Sequence, residues 1–192
     1  MIAIFSPTSN DAIRRYHAVK FATIREFEVW CERVPEDAKV SDWNKLRRES
    51  SQTNTKIPSF VTKVRLLSST EYLVRNLLQW MFEASDSHQI GLLARDLELE
   101  FTGNRRTAYN AIRRSNGDWN SIDDSPGHIG TLDESDQLVT IAALLLHYGC
   151  GFSLWTDASS RSVHVDHDGR VWLVGGSASD VARFAEPLAN RK

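Results

Sequence analysis

The chain has 192 residues, of which 41% are hydrophobic and 25% charged, with a formal net charge of -2. That length suffices for one domain with a core, and the near-neutral balance excludes the strongly basic field that would draw a chain to nucleic acid or an anionic membrane. Two cysteines, Cys31 and Cys150, are too few for a disulfide framework and suit a reducing, cytoplasmic setting.

The opening stretch MIAIFSPTSNDAIRR lacks the charged start and long apolar core of a secretion signal, and no run reaches transmembrane length. A soluble cytoplasmic protein without membrane contact is the expectation. Met1–Phe5 is a short apolar piece. Ser9 or Asn10 can cap a long helix running to about Val34, where Pro35 follows. Phe21, Ile24, Phe27, Cys31 and Val34 recur at steps of three and four and form one apolar stripe. Val40–Glu49 reads as a shorter, charge-rich helix carrying Trp43 and Leu46. Ser50–Lys56, with Pro58 after it, has the composition of a hinge. It divides an N-terminal helical segment, 1–56, from a main domain, 57–192, unless 1–192 forms a single domain.

Phe60–Leu67 alternates apolar and basic residues and suits a strand or a helical turn. Ser69 or Thr70 starts a strong helix containing Tyr72, Leu73, Leu77, Leu78, Trp80 and Met81. Leu92, Leu93, Ala94 and Leu97 then give a short helical pattern. A second helix follows from Gly103, with Ala108, Ala111 and Ile112 inward and Arg105, Arg106, Asn110, Arg113 and Arg114 outward. Helix, turn and arginine-bearing helix outline a helix-turn-helix reader over Ile90–Arg114, and Arg and Asn suit guanine and adenine edges. Glu98 and Glu100 in the connection would repel phosphates, so a solvated helix face is the simpler account. Asp118–Asp136 is acidic; it begins like a calcium loop, but Ile122 and Asp123 stand where an acid and a glycine are needed.

Gln137–Val174 is the stretch around which the chain is organised. Val139–Leu146 is apolar on every side and suits a buried helix, preceded by Thr131 and Glu134 at capping-box spacing and closed near Tyr148 by Gly149. Phe152–Thr156 reads as a strand, and Val163, Val165, Val171 and Leu173 continue the strand pattern. Asp168-Gly169 predicts a two-residue hairpin turn. That register sets Val163, Val165, Trp172 and Val174 on one apolar face and His164, Asp166, Val171 and Leu173 on a mixed one. Gly175-Gly176 ends the last strand, Ser177 can cap a final helix, and Pro187 should end or kink it.

Three constellations carry possible chemistry. His147-x-x-Cys150 and His164-x-x-His167 have zinc-like spacing, yet two histidines three apart on a strand point to opposite faces. The expectation is therefore no metal. Cys150, His164 and Asp166 supply a thiol, a base and a carboxylate, the parts of a small cysteine hydrolase. However, Cys150 follows a helix C-terminus, whose dipole disfavours a thiolate. Gly175-Gly176-Ser177 before a helix could seat an anion, although neither dinucleotide nor Walker spacing is present.

The six tryptophans are many for this length. Trp119 and Trp155 flank polar loops, and Trp119 lies beside Asp123 and Asp124. Aromatic residues dominate protein interfaces, so Trp119, Asp123, Asp124 and Trp155 are the candidate contact residues. The sequence is thus expected to fold as an α+β protein, with a helical N-terminal two-thirds and a small antiparallel sheet flanked by helices at the C-terminus. The leading functional expectation is a non-catalytic intracellular protein-binding module of inhibitor, immunity or adaptor type, without a cofactor. Nucleic-acid binding through the arginine helix and cysteine hydrolysis are the alternatives.

Overall fold

The computed structural model describes residues 20–22, 24–38, 59–61, 67–83, 89–95, 104–115, 119–122 and 124–189. The strands are β1 (Lys20–Ala22), β2 (Ser59–Val61), β3 (Gln89–Arg95), β4 (Gly127–Thr131), β5 (Gly151–Thr156), β6 (Ser162–Val165) and β7 (Arg170–Val174). The helices are α1 (Ile24–Cys31), α2 (Leu67–Glu83), α3 (Asn104–Ser115), α4 (Ser135–His147) and α5 (Ala178–Ala189). Among the described residues all the strands join one seven-stranded sheet in the order β1-β4-β3-β5-β6-β7-β2, and every pair is antiparallel.

This overturns the expected fold of a helical N-terminal two-thirds with a small C-terminal sheet. The sheet has five strands from residue 89 onward, and two short strands from earlier in the chain form its edges. Two stretches hid it. Leu92, Leu93 and Ala94 of β3 belong to a pattern expected to be helical, but the strand is covered on both sides and reads as a continuous apolar run instead of alternating. GHIGT in β4 has two glycines and low strand propensity, so it passed for part of the acidic connection. Within the span of the predicted N-terminal helix, Lys20–Ala22 is strand and α1 covers Ile24–Cys31. Its expected cap at Ser9 or Asn10, the Val40–Glu49 helix and the Ser50–Lys56 hinge lie outside the described residues.

One face of the sheet carries Ile90, Leu92, Phe152, Leu154, Val163, Val165, Val171 and Leu173, all buried against α2 and α4. Leu73, Leu77 and Met81 of α2 and Leu138, Ile141 and Leu145 of α4 supply the other half of this core. Each such side chain stabilises the fold by about 1.5–3 kcal/mol through removal from water. The predicted buried helix is present as α4, and Gly149 closes it at φ 77°. The opposite face holds a smaller cluster of Phe27, Trp30, Val34, Ala38 and Trp155 under α1 and a 3₁₀ turn at Glu36–Ala38. The last helix runs through Pro187 to Ala189 instead of stopping there.

The β6–β7 hairpin differs from its predicted register by one residue. Its loop is His167-Asp168-Gly169: Gly169 N–H donates to Asp166 O (2.9 Å), Asp166 N–H donates to Arg170 O (3.1 Å), and Gly169 takes φ 77°. This is a turn with a glycine bulge, which needs three loop residues where a primed turn needs two. His164 therefore pairs with Trp172, and Val163 with Leu173. A one-residue slip exchanges the faces: Val171 and Leu173 enter the helix-covered core, and Trp172 joins the face of His164.

Candidate functional site

The face opposite the main core is defined by cross-strand pairs. Gly91 lies opposite Ile129 and Trp155, Leu93 opposite Gly127 and Ser153, and Ser153 opposite His164, which in turn lies opposite Trp172. His164 is fully buried there. Its Nδ1 is 2.9 Å from Ser153 Oγ and its Nε2 is 3.2 Å from Ser162 Oγ. Ser162 donates its one hydroxyl proton to Ala38 O (2.8 Å), so its oxygen can only accept from His164. The imidazole therefore carries its proton on Nε2, and Nδ1 accepts from Ser153 Oγ. Arg95 Nε in turn donates to Ser153 Oγ at 2.6 Å. The result is one directed chain, from Arg95 through Ser153, His164 and Ser162 to the carbonyl of the 3₁₀ turn. Burial, with the nearby Arg95 charge adding to it, pushes the His164 pKa down to about 3. The ring is neutral and spent on both nitrogens, and Trp155 meets it edge-on at 5.6 Å between centroids.

The hydrolase constellation is not assembled. Cys150 is fully buried in the α2/α4 core, whereas His164 lies on the other side of the sheet. Asp166 is held in the hairpin, where Oδ1 accepts from Arg170 N–H at 2.9 Å and Oδ2 lies 3.5 Å from the Arg170 guanidinium. Burial raises its carboxyl pKa, partly offset by the bond from Arg170. A thiol so enclosed reacts only when the chain opens, so native Cys150 is expected to alkylate with iodoacetamide at least about 10³-fold more slowly than in urea. Equal rates would place it at the surface.

The zinc-like quartet is dispersed as well. His147 is exposed at the end of α4 against Tyr148, and His167 sits in the hairpin loop 3.6 Å from Asp168. Among the described residues no group of three or more His, Cys, Asp or Glu side chains could hold a metal ion. The start of α5, read as an anion seat, is filled by its own acid: Asp180 Oδ2 accepts from Ser177 N–H (2.8 Å) and Ser177 Oγ (2.9 Å).

The arginine helix is present as α3, but Leu92–Ala94, read as its partner helix, is strand. The helix-turn-helix outline over Ile90–Arg114 is thus not formed. Two of the arginines, Arg106 and Arg113, also work inward. Arg113 is fully buried and donates to Ser125 O at 2.7 Å, while Arg106 donates to Ser121 Oγ at 2.9 Å. Tyr109 on the same helix is buried and hydrogen-bonds His128 of β4. Asn110 is half-buried, Arg105 lies in the first turn, and Arg114 is exposed. Arg106 and Arg113 hold the loop before β4, where Ser125 N–H donates to Ser121 O (3.0 Å) and Ile122 is buried beneath.

That loop presents Trp119, which is 76% exposed, with the Arg114 guanidinium 5.7 Å from its ring centroid. Asp124 is exposed in the same loop and Asp123 lies outside the described residues. Trp155, expected at this surface, is instead 6% exposed and packed 6.0 Å from Phe27. Its strand is the central one of the sheet, a placement set by topology that residue spacing does not reveal. Ser153, Ser162 and Arg95 escaped the sequence reading. The one signal for them was a polar residue within each apolar strand.

The described surface carries two open depressions of note. One, of about 540 Å³, is lined by Glu26, Val29, Trp30, Glu32, Arg33, Gln89 and Ile129. The other, of about 360 Å³, is lined by Leu78, Gln79, Phe82, Glu83, Leu132 and Ser135. Among the described residues no helix is long and apolar enough to cross a membrane. Comparison with protein-family models, curated proteins and solved structures gives no match.

Proposed function

We propose that the protein is a non-catalytic, cytoplasmic protein-binding module of inhibitor, immunity or adaptor type. The observation that carries this reading is the 76% exposure of Trp119 on a loop that Arg106 and Arg113 hold in place. A tryptophan contributes large contact area at little conformational cost, and a loop ordered beforehand loses less entropy on binding. The dispersal of Cys150, His164 and Asp166 supports a non-catalytic role, and two cysteines outside any disulfide, Cys31 and Cys150, support a reducing compartment.

The reading is tested by placing a photo-crosslinking side chain at position 119 in the host cell, with Asp168 as an exposed control position. One defined protein should crosslink from 119 and not from 168. In direct titration with that protein, Trp119→Ala should weaken binding about 30-fold or more, the size of an aromatic hot spot, with unfolding unchanged. Identical adducts from both positions, or none, would refute it.

A further inference from the structure

We infer a second docking surface, independent of the Trp119 loop: the groove between α2 and the start of α4 receives a basic amphipathic helix of a partner protein. Its floor is apolar. Leu78 is buried, Phe82 is half-buried, and Leu132 stands 53% exposed at the edge of a space of about 360 Å³. Leu132 is not a loose loop residue. The turn that carries it is locked by Glu134, whose Oε2 accepts from Thr131 N–H (2.6 Å) and Thr131 Oγ1 (3.1 Å) while the side chain is 7% exposed. An aliphatic side chain held outward by a closed turn is a preorganised contact, and a groove between helices is the usual seat for a partner helix.

Charge selects the occupant. Glu71, Glu83, Asp133 and Asp136 lie along this α2/α4 seam with Asp180 close to Glu83, five carboxylates against three guanidiniums, Arg75, Arg161 and Arg183. Arg161 donates to Trp80 O at 2.7 Å. Arg75 and Arg183 are already committed: Arg75 bonds Asp136 (2.6 Å) and Glu71 (3.1 Å), and Arg183 bonds both oxygens of Glu83 at 2.7 Å. Asp133, exposed and adjacent to Leu132, has no ion-pair partner among the described residues. An apolar floor with surplus carboxylate at its mouth favours an apolar anchor flanked by lysine or arginine, and disfavours an acidic segment by like-charge repulsion.

The test follows the methyl resonances of Leu78 and Leu132 in the full chain. One titrant is an amphipathic helix-forming peptide of leucine and lysine, the other its leucine–glutamate counterpart. The lysine peptide should shift both methyls saturably and the glutamate peptide should not. Asp133→Lys should weaken the lysine peptide about tenfold, and Leu132→Ser should remove saturation. Both positions are exposed, so unchanged melting verifies that the variants fold, and Trp119→Ala should leave the titration as it was. No saturable shift, or equal shifts with both peptides, overturns the inference. So do shifts that grow with protein concentration alone, which would mark the groove as a self-association contact.

Discussion

Lowering the pH from 7 to 4 is expected to cost this protein about 3 kcal/mol of stability through His164 alone. The folded pKa is about 3 because the ring is fully buried near Arg95, whereas an unfolded histidine titrates near 6.5. Between those values the unfolded chain binds a proton that the folded chain refuses. Stability is therefore complete above about pH 6.5 and falls as pH drops toward 3, by about 1.4 kcal/mol per pH unit. Charging the ring in place would also put two donors against Ser153, whose oxygen already accepts from Arg95. Urea unfolding at pH 7 and pH 4, compared between wild type and His164→Gln, isolates this contribution from the carboxylates common to both. The wild type should lose about 3 kcal/mol more than the variant over that interval. Ring nitrogen shifts provide a check independent of any variant: they should report a neutral, Nε2-protonated imidazole down to pH 4. A His164 that titrates near 6 would show the buried chain to be open to water.

Gly91→Ala should destabilise the protein by about 2–4 kcal/mol, combining overpacking with displacement of a buried aromatic ring. A Cβ at position 91 would stand 2.2 Å from the Trp30 indole, and one at 127 would stand 2.3 Å from the Phe27 ring. These glycines lie on adjacent strands, and together they form the notch that accepts α1. The indole cannot move aside cheaply, because its Nε1 donates to Gln89 Oε1 at 3.0 Å and its ring packs 5.5 Å from Phe27. The decisive measurement is a double-mutant cycle. With Trp30→Ala in the background, Gly91→Ala should cost little or even stabilise by about 0.4–1 kcal/mol, since alanine restricts the unfolded chain. A full cost persisting without the indole would mean that the glycine serves some other purpose. Gly127→Ala with Phe27→Ala should repeat the pattern.

Local signals were legible where a segment's own residues settle its conformation. The apolar run of α4 with Gly149 behind it, the stripe of α2 and the strand pattern of Phe152–Thr156 all appear where the sequence places them. Side-chain capping was also readable at Thr131/Glu134 and at Ser177. Of the residues singled out, the loop position of Trp119 and Asp124 was legible, but the burial of Trp155 and the partners of His164 were not.

What the sequence determined by itself is therefore short-range: caps, helix ends, and residues with a single tolerable conformation. The tertiary structure alone decided which segments cross one another. It made Gln89–Arg95 a strand because both faces are covered, and it made Gly127–Thr131 a strand because Phe27 fills the space its glycine leaves. The added loop residue at Asp166–Arg170 exchanged the faces of β7, and the pairing of β5 with β6 set His164 beside Ser153, on the side of the sheet away from Cys150. The physical reason is common to all three. Strand identity and facing depend on hydrogen bonds and burial supplied by residues far along the chain, and a strand's period of two turns each one-residue uncertainty into a change of side.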